Sequence, residues 1–240
     1  MALLAIDTST RQLGVALLEG DRLIAAYEVL ADYPHAVELP QGVSRVLDAG
    51  HTTLDALEAV VVDIGPGSFT GLRIGLAFVK ALVFSRKLVT IGVPSLDVLA
   101  AGLPFSSRLI CPLMDAKQKN VYAALYRLSA DTPQRDSEYL LGPLDEVVSH
   151  IKEPTLFVGD GCALYRDRLV ERLGAKAQFA PSELWWPGAA TLARLGRLRL
   201  ARGERDDPQR LVPLYLYPLD CSVRGPDRPT SVLPKPVAAA

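Results

Sequence analysis

The chain has 240 residues, 49% of them hydrophobic and 22% charged, and a formal net charge of −1. That is the composition of a globular protein with one large domain or two modest ones, and it excludes recognition of nucleic acid through a strong global field. Its apolar stretches are broken by Lys, Arg or Gly before the roughly 18 residues needed to cross a bilayer. The three cysteines, Cys111, Cys162 and Cys221, stand far apart with no CxxC pair, which suits a reducing compartment rather than a disulfide framework. "MALLAIDTST" lacks a basic flank and is a poor signal peptide, so a cytoplasmic protein without membrane contact is expected.

"LLAID" (Leu3–Asp7) reads as a first strand, and "LGVALLEG" and "RLIAAYEVL" flank the hairpin signal Gly20-Asp21. His35 to Ala49 reads as a helix, with Val37, Val43, Val46 and Leu47 at helical spacing. "LEAVVVDI" (Leu57–Ile64) is a Val-rich run of the kind that forms a strand covered on both faces. A glycine-rich loop follows, then a helix from Thr70 to Lys87, a strand "LVTIGV", and a helix with Ser95 as its N-cap. "RLICPLMD" starts the same plan again. "VYAALYRL" and "SEYLLG" are strands, "PLDEVVSHI" a helix with Pro143 in its first turn, "PTLFVGDG" a strand into a glycine turn, and Ala163–Leu173 a helix. Thr191–Gly203 reads as a last helix, and the proline-rich end from Gly225 as mobile.

Both halves thus read as βββαβα, with Asp7 matching Asp115, and Gly65/Gly67 matching Gly159/Gly161. The pattern predicts an α/β protein with the duplicated architecture of actin, hexokinase and Hsp70, in which each half offers the loop after its first strand to a ligand in a cleft. Residues 1–104 form the first lobe and 105–240 the second, with the last helix able to pack back on the first.

The loop Gly65-Pro-Gly-Ser-Phe-Thr-Gly71 matches none of three familiar devices. A P-loop needs Lys after its second glycine, where Leu72 stands. The dinucleotide fingerprint GxGxxG is one residue shorter, and a nucleophile elbow needs GxSxG. A strand-to-helix turn capped by Thr70 remains, with amides that make at most a weak anion site. The helix after it is apolar nearly all round, so either the rest of the chain covers both sides or a partner covers one. His35, His51 and His150 are isolated and read as surface or helix-end residues. Trp185-Trp186 reads as packing at a junction. The run Arg194, Arg197, Arg199, Arg202, Arg205 and Arg210 is diluted by Glu204, Asp206 and Asp207 and reads as a solvated helix face rather than a nucleic-acid contact.

"LLAIDTST", "GPGSFTGLRIG", "VPSLDVLA" and "MDAKQKNVY" together resemble the bacterial TsaB (YeaZ) family, and "PLYL" at Pro213–Leu216 resembles its C-terminal segment. The resemblance implies an actin-like (ASKHA) fold. It also implies a part in forming threonylcarbamoyladenosine on tRNA, as a scaffold without catalysis or cofactor of its own. The implied partners are the catalytic subunit TsaD, the ATPase TsaE and a second copy of the chain, with tRNA met only through the complex. The implied interface is helical: Gly71, Ile74, Gly75, Phe78, Val79 and Leu82, with Val43 and Val46 from the preceding helix. The competing class is an enzyme, a TsaD-like metal- and ATP-dependent transferase or a small actin-fold kinase. TsaD proteins carry an HxxxH metal pair on the helix where this chain has "SLDVLAAG", without histidine. Actin-like ATPases favour glycine after the strand-ending Asp. Here Asp7, Thr8, Ser9, Thr10 and Asp115 form at most a vestigial phosphate site, crowded by side chains.

Overall fold

The computed structural model describes residues 2–30, 35–129 and 132–217. The proline-rich end and Cys221 lie outside the described residues. The first half runs β1 (Ala2–Asp7), β2 (Gln12–Glu19), β3 (Arg22–Leu30), α1 (His35–Ala49), β4 (Leu57–Gly65), α2 (Phe69–Arg86), β5 (Val89–Pro94) and α3 (Ser95–Ala101). Its sheet has the order β3-β2-β1-β4-β5, with β1 antiparallel to β2 and parallel to β4. Alternation along β1 sends Leu4 and Ile6 to one face, under α1 and α2, and Leu3 and Ala5 to the other.

The second half runs β6 (Leu109–Asp115), β7 (Asn120–Ala123), β8 (Tyr126–Ser129), β9 (Thr132–Arg135), β10 (Leu140–Pro143), α4 (Leu144–His150), β11 (Thr155–Val158), α5 (Gly161–Leu173), β12 (Ala177–Phe179) and α6 (Ala189–Ala201). Its sheet has the order β10-β7-β6-β11-β12, with the hairpin β8–β9 attached to β6 off this path; with that hairpin set aside, third, second, first, fourth and fifth strands take the places they hold in the first half. Both fourth strands run into a left-handed glycine, Gly65 at φ 100° and Gly159 at φ 118°. The duplication expected from pattern is therefore present in topology.

The run "VYAALYRL" is not one strand. The Leu125 amide donates to Ser137 Oγ at 2.9 Å and its carbonyl accepts from the Asp136 amide, so the chain leaves the β7 ladder and re-pairs as the hairpin β8–β9. The caps also differ from expectation. Ser68, not Thr70, caps α2, its Oγ accepting the Gly71 amide at 3.2 Å. Pro94 precedes α3, and Ser95 instead donates its hydroxyl to Asp63.

Two helices cross between the halves. α3 buries Leu96, Leu99 and Ala100 in the second sheet's core, beside Ile110, Met114 and Tyr126. Its Asp97 Oδ1 accepts from the Tyr126 hydroxyl at 2.6 Å and the Tyr139 hydroxyl at 3.2 Å. α6 returns to the first sheet, where Gly196 meets Val61 and Ala189 meets Gly14 at distances that leave no room for a Cβ on either glycine. Among the described residues no helix is long and apolar enough to cross a membrane.

Candidate functional site

The turn after β1 and the loop after β4 leave the same end of the first sheet and close on each other. Thr8 Oγ1 donates to the Gly71 carbonyl at 2.7 Å, and the Ser68 amide donates to the Ser9 carbonyl at 2.7 Å. A Cβ at Gly67 would stand 2.2 Å from the Ser9 carbonyl oxygen, at Gly71 2.0 Å from that of Thr8, and at Gly75 2.4 Å from Thr8 Oγ1. The glycines are thus required by backbone packed on backbone. Thr10 Oγ1 turns to Gln12, and its carbonyl meets the His35 ring at 2.7 Å. Thr8, Ser9 and Thr10 are all buried. Thr8 Oγ1, the Ser9 amide and Thr10 Oγ1, groups that a phosphate loop would offer to a ligand, are taken up inside the chain.

Asp7 and Asp63 sit side by side beneath this contact. The parallel register Ile6↔Val62 brings the next residues of β1 and β4, two aspartates, onto neighbouring strands. Burial pushes the Asp63 carboxyl up to about 7. Burial also raises Asp7 well above the carboxylate range, and the Asp63 charge raises it further. Asp63 was not singled out from the sequence, although an Asp inside "VVVDI" is a polar residue in a run that must be buried.

The C-terminal segment straps the loop from outside. The Leu214 amide donates to the Ile64 carbonyl at 2.7 Å, and the Tyr215 hydroxyl accepts from Arg73 Nε at 3.0 Å. The Arg73 guanidinium lies 3.7 Å from the centre of the Phe69 ring, which in turn packs on Tyr215. "PLYL" thus buttresses the start of α2.

The second half repeats the turn in a different state. Asp115 accepts the Lys117 amide at 2.9 Å and the Lys117 ammonium at 2.5 Å. Its own amide donates to Asp160 Oδ1 at 3.1 Å. Lys117, Gln118 and Lys119 are all left-handed, at φ 64°, 51° and 64°. Asp7 and Asp115 therefore lie in separate sheets, each within its own turn.

The residues with an implied helical interface divide by exposure. Gly71, Gly75, Val79, Leu82, Val43 and Val46 are buried in the protomer, while Ile74 and Phe78 are half-buried. What α2 leaves outside is Thr70, Arg73, Ala77, Ala81 and Phe84, a row at helical spacing beside Ile74 and Phe78. Phe84 is 95% exposed and Phe69 54%. Val37 is exposed on α1.

Four of the six arginines between 194 and 210 are engaged within the chain. Arg194 donates to the Ala101 carbonyl at 3.0 Å, Arg197 pairs with Asp21, Arg199 bonds Glu204 and the Gly92 carbonyl, and Arg210 pairs with Asp207. Trp185 packs in the second half's cores, its Nε1 donating to the Ala180 carbonyl at 2.9 Å. Trp186 lines a cavity of about 110 Å³ with Gln12, Glu28 and Thr191. His35 opens α1, His51 follows its end, and His150 closes α4. Among the described residues no group of three His, Cys, Asp or Glu is placed to hold a metal ion.

A family model described as "TsaD: tRNA N6-adenosine threonylcarbamoyltransferase" matches residues 29–218. The chain is 33% identical over 219 residues to the tRNA threonylcarbamoyladenosine biosynthesis protein TsaB of Bacillus subtilis, covering 90% of this chain and 94% of that one. With TsaB of Escherichia coli the identity is 27% over 224 residues, again covering 90% and 94%. Among solved structures, YeaZ from Pseudomonas aeruginosa superposes with a TM-score of 0.76 at 27% identity, covering 89% of this chain and 99% of that one. Component A of (R)-2-hydroxyglutaryl-CoA dehydratase from Acidaminococcus fermentans shares the fold alone, with a TM-score of 0.50 at 12% identity over 84% and 99% of the two chains.

Proposed function

The chain belongs to the TsaB (YeaZ) family and is itself matched by the TsaD family model, and we propose that within tRNA threonylcarbamoyladenosine biosynthesis it is a non-catalytic scaffold that binds and activates a TsaD-type catalytic subunit. A TsaE-type ATPase joins the pair, a second copy of the chain competes for the same face, and the assembly works in the cytoplasm.

The observation that carries this reading is α2. Its inner face is consumed by β1, β4 and the Thr8–Ser9 turn, and its outer row from Thr70 to Phe84 still presents Ile74, Ala77, Phe78, Ala81 and a nearly bare Phe84. Exposed aromatic and Arg side chains grouped on one face are the anchors of which interface centres are built. The closed Thr8–Ser9 turn supports the absence of chemistry in the first half, because a nucleotide phosphate would have to displace Gly71 and Ser68.

The TsaD model match over residues 29–218 favours a second reading, a transferase in its own right. α3 argues against it, carrying Asp97 bonded to two tyrosines where a metal-binding helix would present histidines.

The experiment is threonylcarbamoyladenosine formation from unmodified tRNA, ATP, threonine and bicarbonate by purified TsaD, TsaE and the carbamoyl-adenylate-forming enzyme. It is run with this chain, without it, and with Ala77→Arg. Product that requires the chain and is lost with a folded Ala77→Arg supports the scaffold. Product without the chain, or product from the chain without TsaD, overturns it.

A further inference from the structure

Three buried polar atoms gather between β1 and β4 without a hydrogen-bond partner among the described residues: Asp7 Oδ2, Asp63 Oδ2 and Ser9 Oγ. None of the three residues is more than 1% exposed, and Asp7 and Ser9 both lie close enough to act on the Asp63 carboxyl. The opposite oxygens are already served. Asp7 Oδ1 accepts the Ser9 amide at 2.7 Å, and Asp63 Oδ1 accepts the Gly65 amide at 2.7 Å and the Ser95 hydroxyl at 2.5 Å.

With both carboxylates ionised, one hydroxyl hydrogen, that of Ser9, faces two buried oxygens of like charge. Such an arrangement leaves one acceptor unpaired in a low dielectric. A single added proton closes the set: one carboxyl donates to the other carboxylate, and the Ser9 hydroxyl donates to the pair. The neighbouring charges do not supply this balance. Glu28 on β3 adds charge of the same sign and is itself held by the Ala189 amide. The His35 ring at the head of α1 meets the Thr10 carbonyl. Arg73 on α2 lies over Phe69, Asp97 on α3 accepts from Tyr126, and Arg199 on α6 is bonded to Glu204 and the Gly92 carbonyl.

We propose that Asp7 and Asp63 hold one proton between them, and that this shared proton locks the glycine loop onto the turn after β1. Ser9 is the piece that both sides grip. Its amide is on Asp7, its hydroxyl lies in the gap, and its carbonyl takes the Ser68 amide at the start of α2. Losing the proton to solvent leaves two like charges in a dry gap and loosens Ser9, hence Ser68 and the first turn of α2. The folded pair binds its proton more tightly than the opened one. The lock is therefore strongest below the ordinary aspartate pKa near 4 and weakens as pH rises from there to the pair's midpoint.

The test is a titration of the full chain with carbon-13 in its aspartate carboxyls, together with hydrogen exchange at the Ser68 and Gly71 amides. One carboxyl signal titrates near neutral pH or above. Protection of the two amides falls about tenfold per pH unit between the ordinary aspartate pKa near 4 and that midpoint, then levels off. Asp63→Asn, which keeps a neutral donor in the gap, removes the neutral titration and flattens the protection profile, with folding checked by circular dichroism. Asp7→Asn does the same from the other strand. The proposal is overturned if every aspartate titrates in the ordinary acid range, or if Asp63→Asn keeps the wild-type profile. It is also overturned if Mg²⁺ at alkaline pH protects Ser68 in the wild type but not in Asp63→Asn, since the gap is then a cation site.

Discussion

Gly71 and Thr8 touch so closely that a Cβ on the glycine would stand 2.0 Å from the threonine's carbonyl oxygen. The obstacle is backbone, itself tied by Thr8 Oγ1 to the Gly71 carbonyl, so no side chain can swing aside. Gly71→Ala is expected to cost about 3 kcal/mol, the upper range for overpacking. Gly203→Ala, with nothing within 4 Å of its Cβ position but a φ of 81° in the left-handed cap that follows α6, is expected to cost only about 1 kcal/mol of backbone strain. Denaturant unfolding of the two variants checks both figures. Equal effects would mean that the loop contact contributes nothing.

The two faces of α2 predict opposite outcomes for charge. Val79 is fully buried, so Val79→Glu strands a carboxylate in the core and costs about 4 kcal/mol. Phe84→Asp, at a residue 95% exposed, leaves the melting temperature of the monomer unchanged and weakens self-association and capture of the catalytic subunit. Thermal melts beside sedimentation or pull-down separate the two effects. Full assembly by a folded Phe84→Asp variant would move the interface off this face.

How much of this was legible in the sequence follows from what periodicity can see. α1 falls at His35–Ala49 as its spacing of Val and Leu requires, and β4 is plain from its run of valines. Periodicity reports burial without naming the neighbour. The apolar girth of α2 therefore did not distinguish the turn that covers Gly71 and Gly75 from a helix of another chain. Asp63 stayed hidden because one polar letter inside a strand says nothing until the register sets it beside Asp7. The hairpin β8–β9 stayed hidden because its cause, Ser137 capturing the Leu125 amide, joins residues whose own propensities are unremarkable.

Asp97 links the halves through two tyrosines, and the links are unequal. The Tyr126 hydroxyl is at 2.6 Å and its ring almost fully buried, while Tyr139 is at 3.2 Å. Tyr126→Phe is expected to cost about 2 kcal/mol, as for a buried hydrogen bond to a charged group, and Tyr139→Phe about 1 kcal/mol. Because both donate to one oxygen, each single variant lets the remaining hydroxyl bond strengthen, and the double variant loses more than the sum. Strict additivity in a double-mutant cycle would show that the hydroxyls act independently of Asp97.

The turn Lys117-Gln118-Lys119 offers a gain rather than a loss. Three successive left-handed residues each carry roughly 1–2 kcal/mol of steric cost that glycine would not. Gln118 is exposed at φ 51°, and among the described residues its side chain makes no hydrogen bond that offsets that cost. Gln118→Gly is therefore expected to stabilise by about 0.5–1 kcal/mol after the extra entropy of the unfolded chain is subtracted. Lys117→Gly recovers less, because it also removes the ammonium from Asp115. A rise in unfolding midpoint for Gln118→Gly and a smaller one or a fall for Lys117→Gly is the expected pair of results. A fall for Gln118→Gly would mean that the left-handed turn is held by something other than its own backbone.

The arginines of α6 give the last prediction, since they read as a basic run yet serve the fold. Arg199 is three-quarters buried and reaches the Gly92 carbonyl, Glu204 and Asp206, fastening the end of α6 to β5 and to the segment that leads into the strap. Removing its guanidinium leaves the Gly92 carbonyl short of a donor and two carboxylates facing each other, so Arg199→Gln is expected to cost about 2 kcal/mol. Arg202, exposed at the helix end, is expected to change stability by less than about 0.5 kcal/mol when replaced by Gln. If both substitutions instead leave stability unchanged and lower the salt-sensitive retention of tRNA by the assembled complex, the run is a nucleic-acid contact. If Arg199→Gln weakens the fold and tRNA retention follows only the amount of folded chain, the positive charge belongs to the architecture.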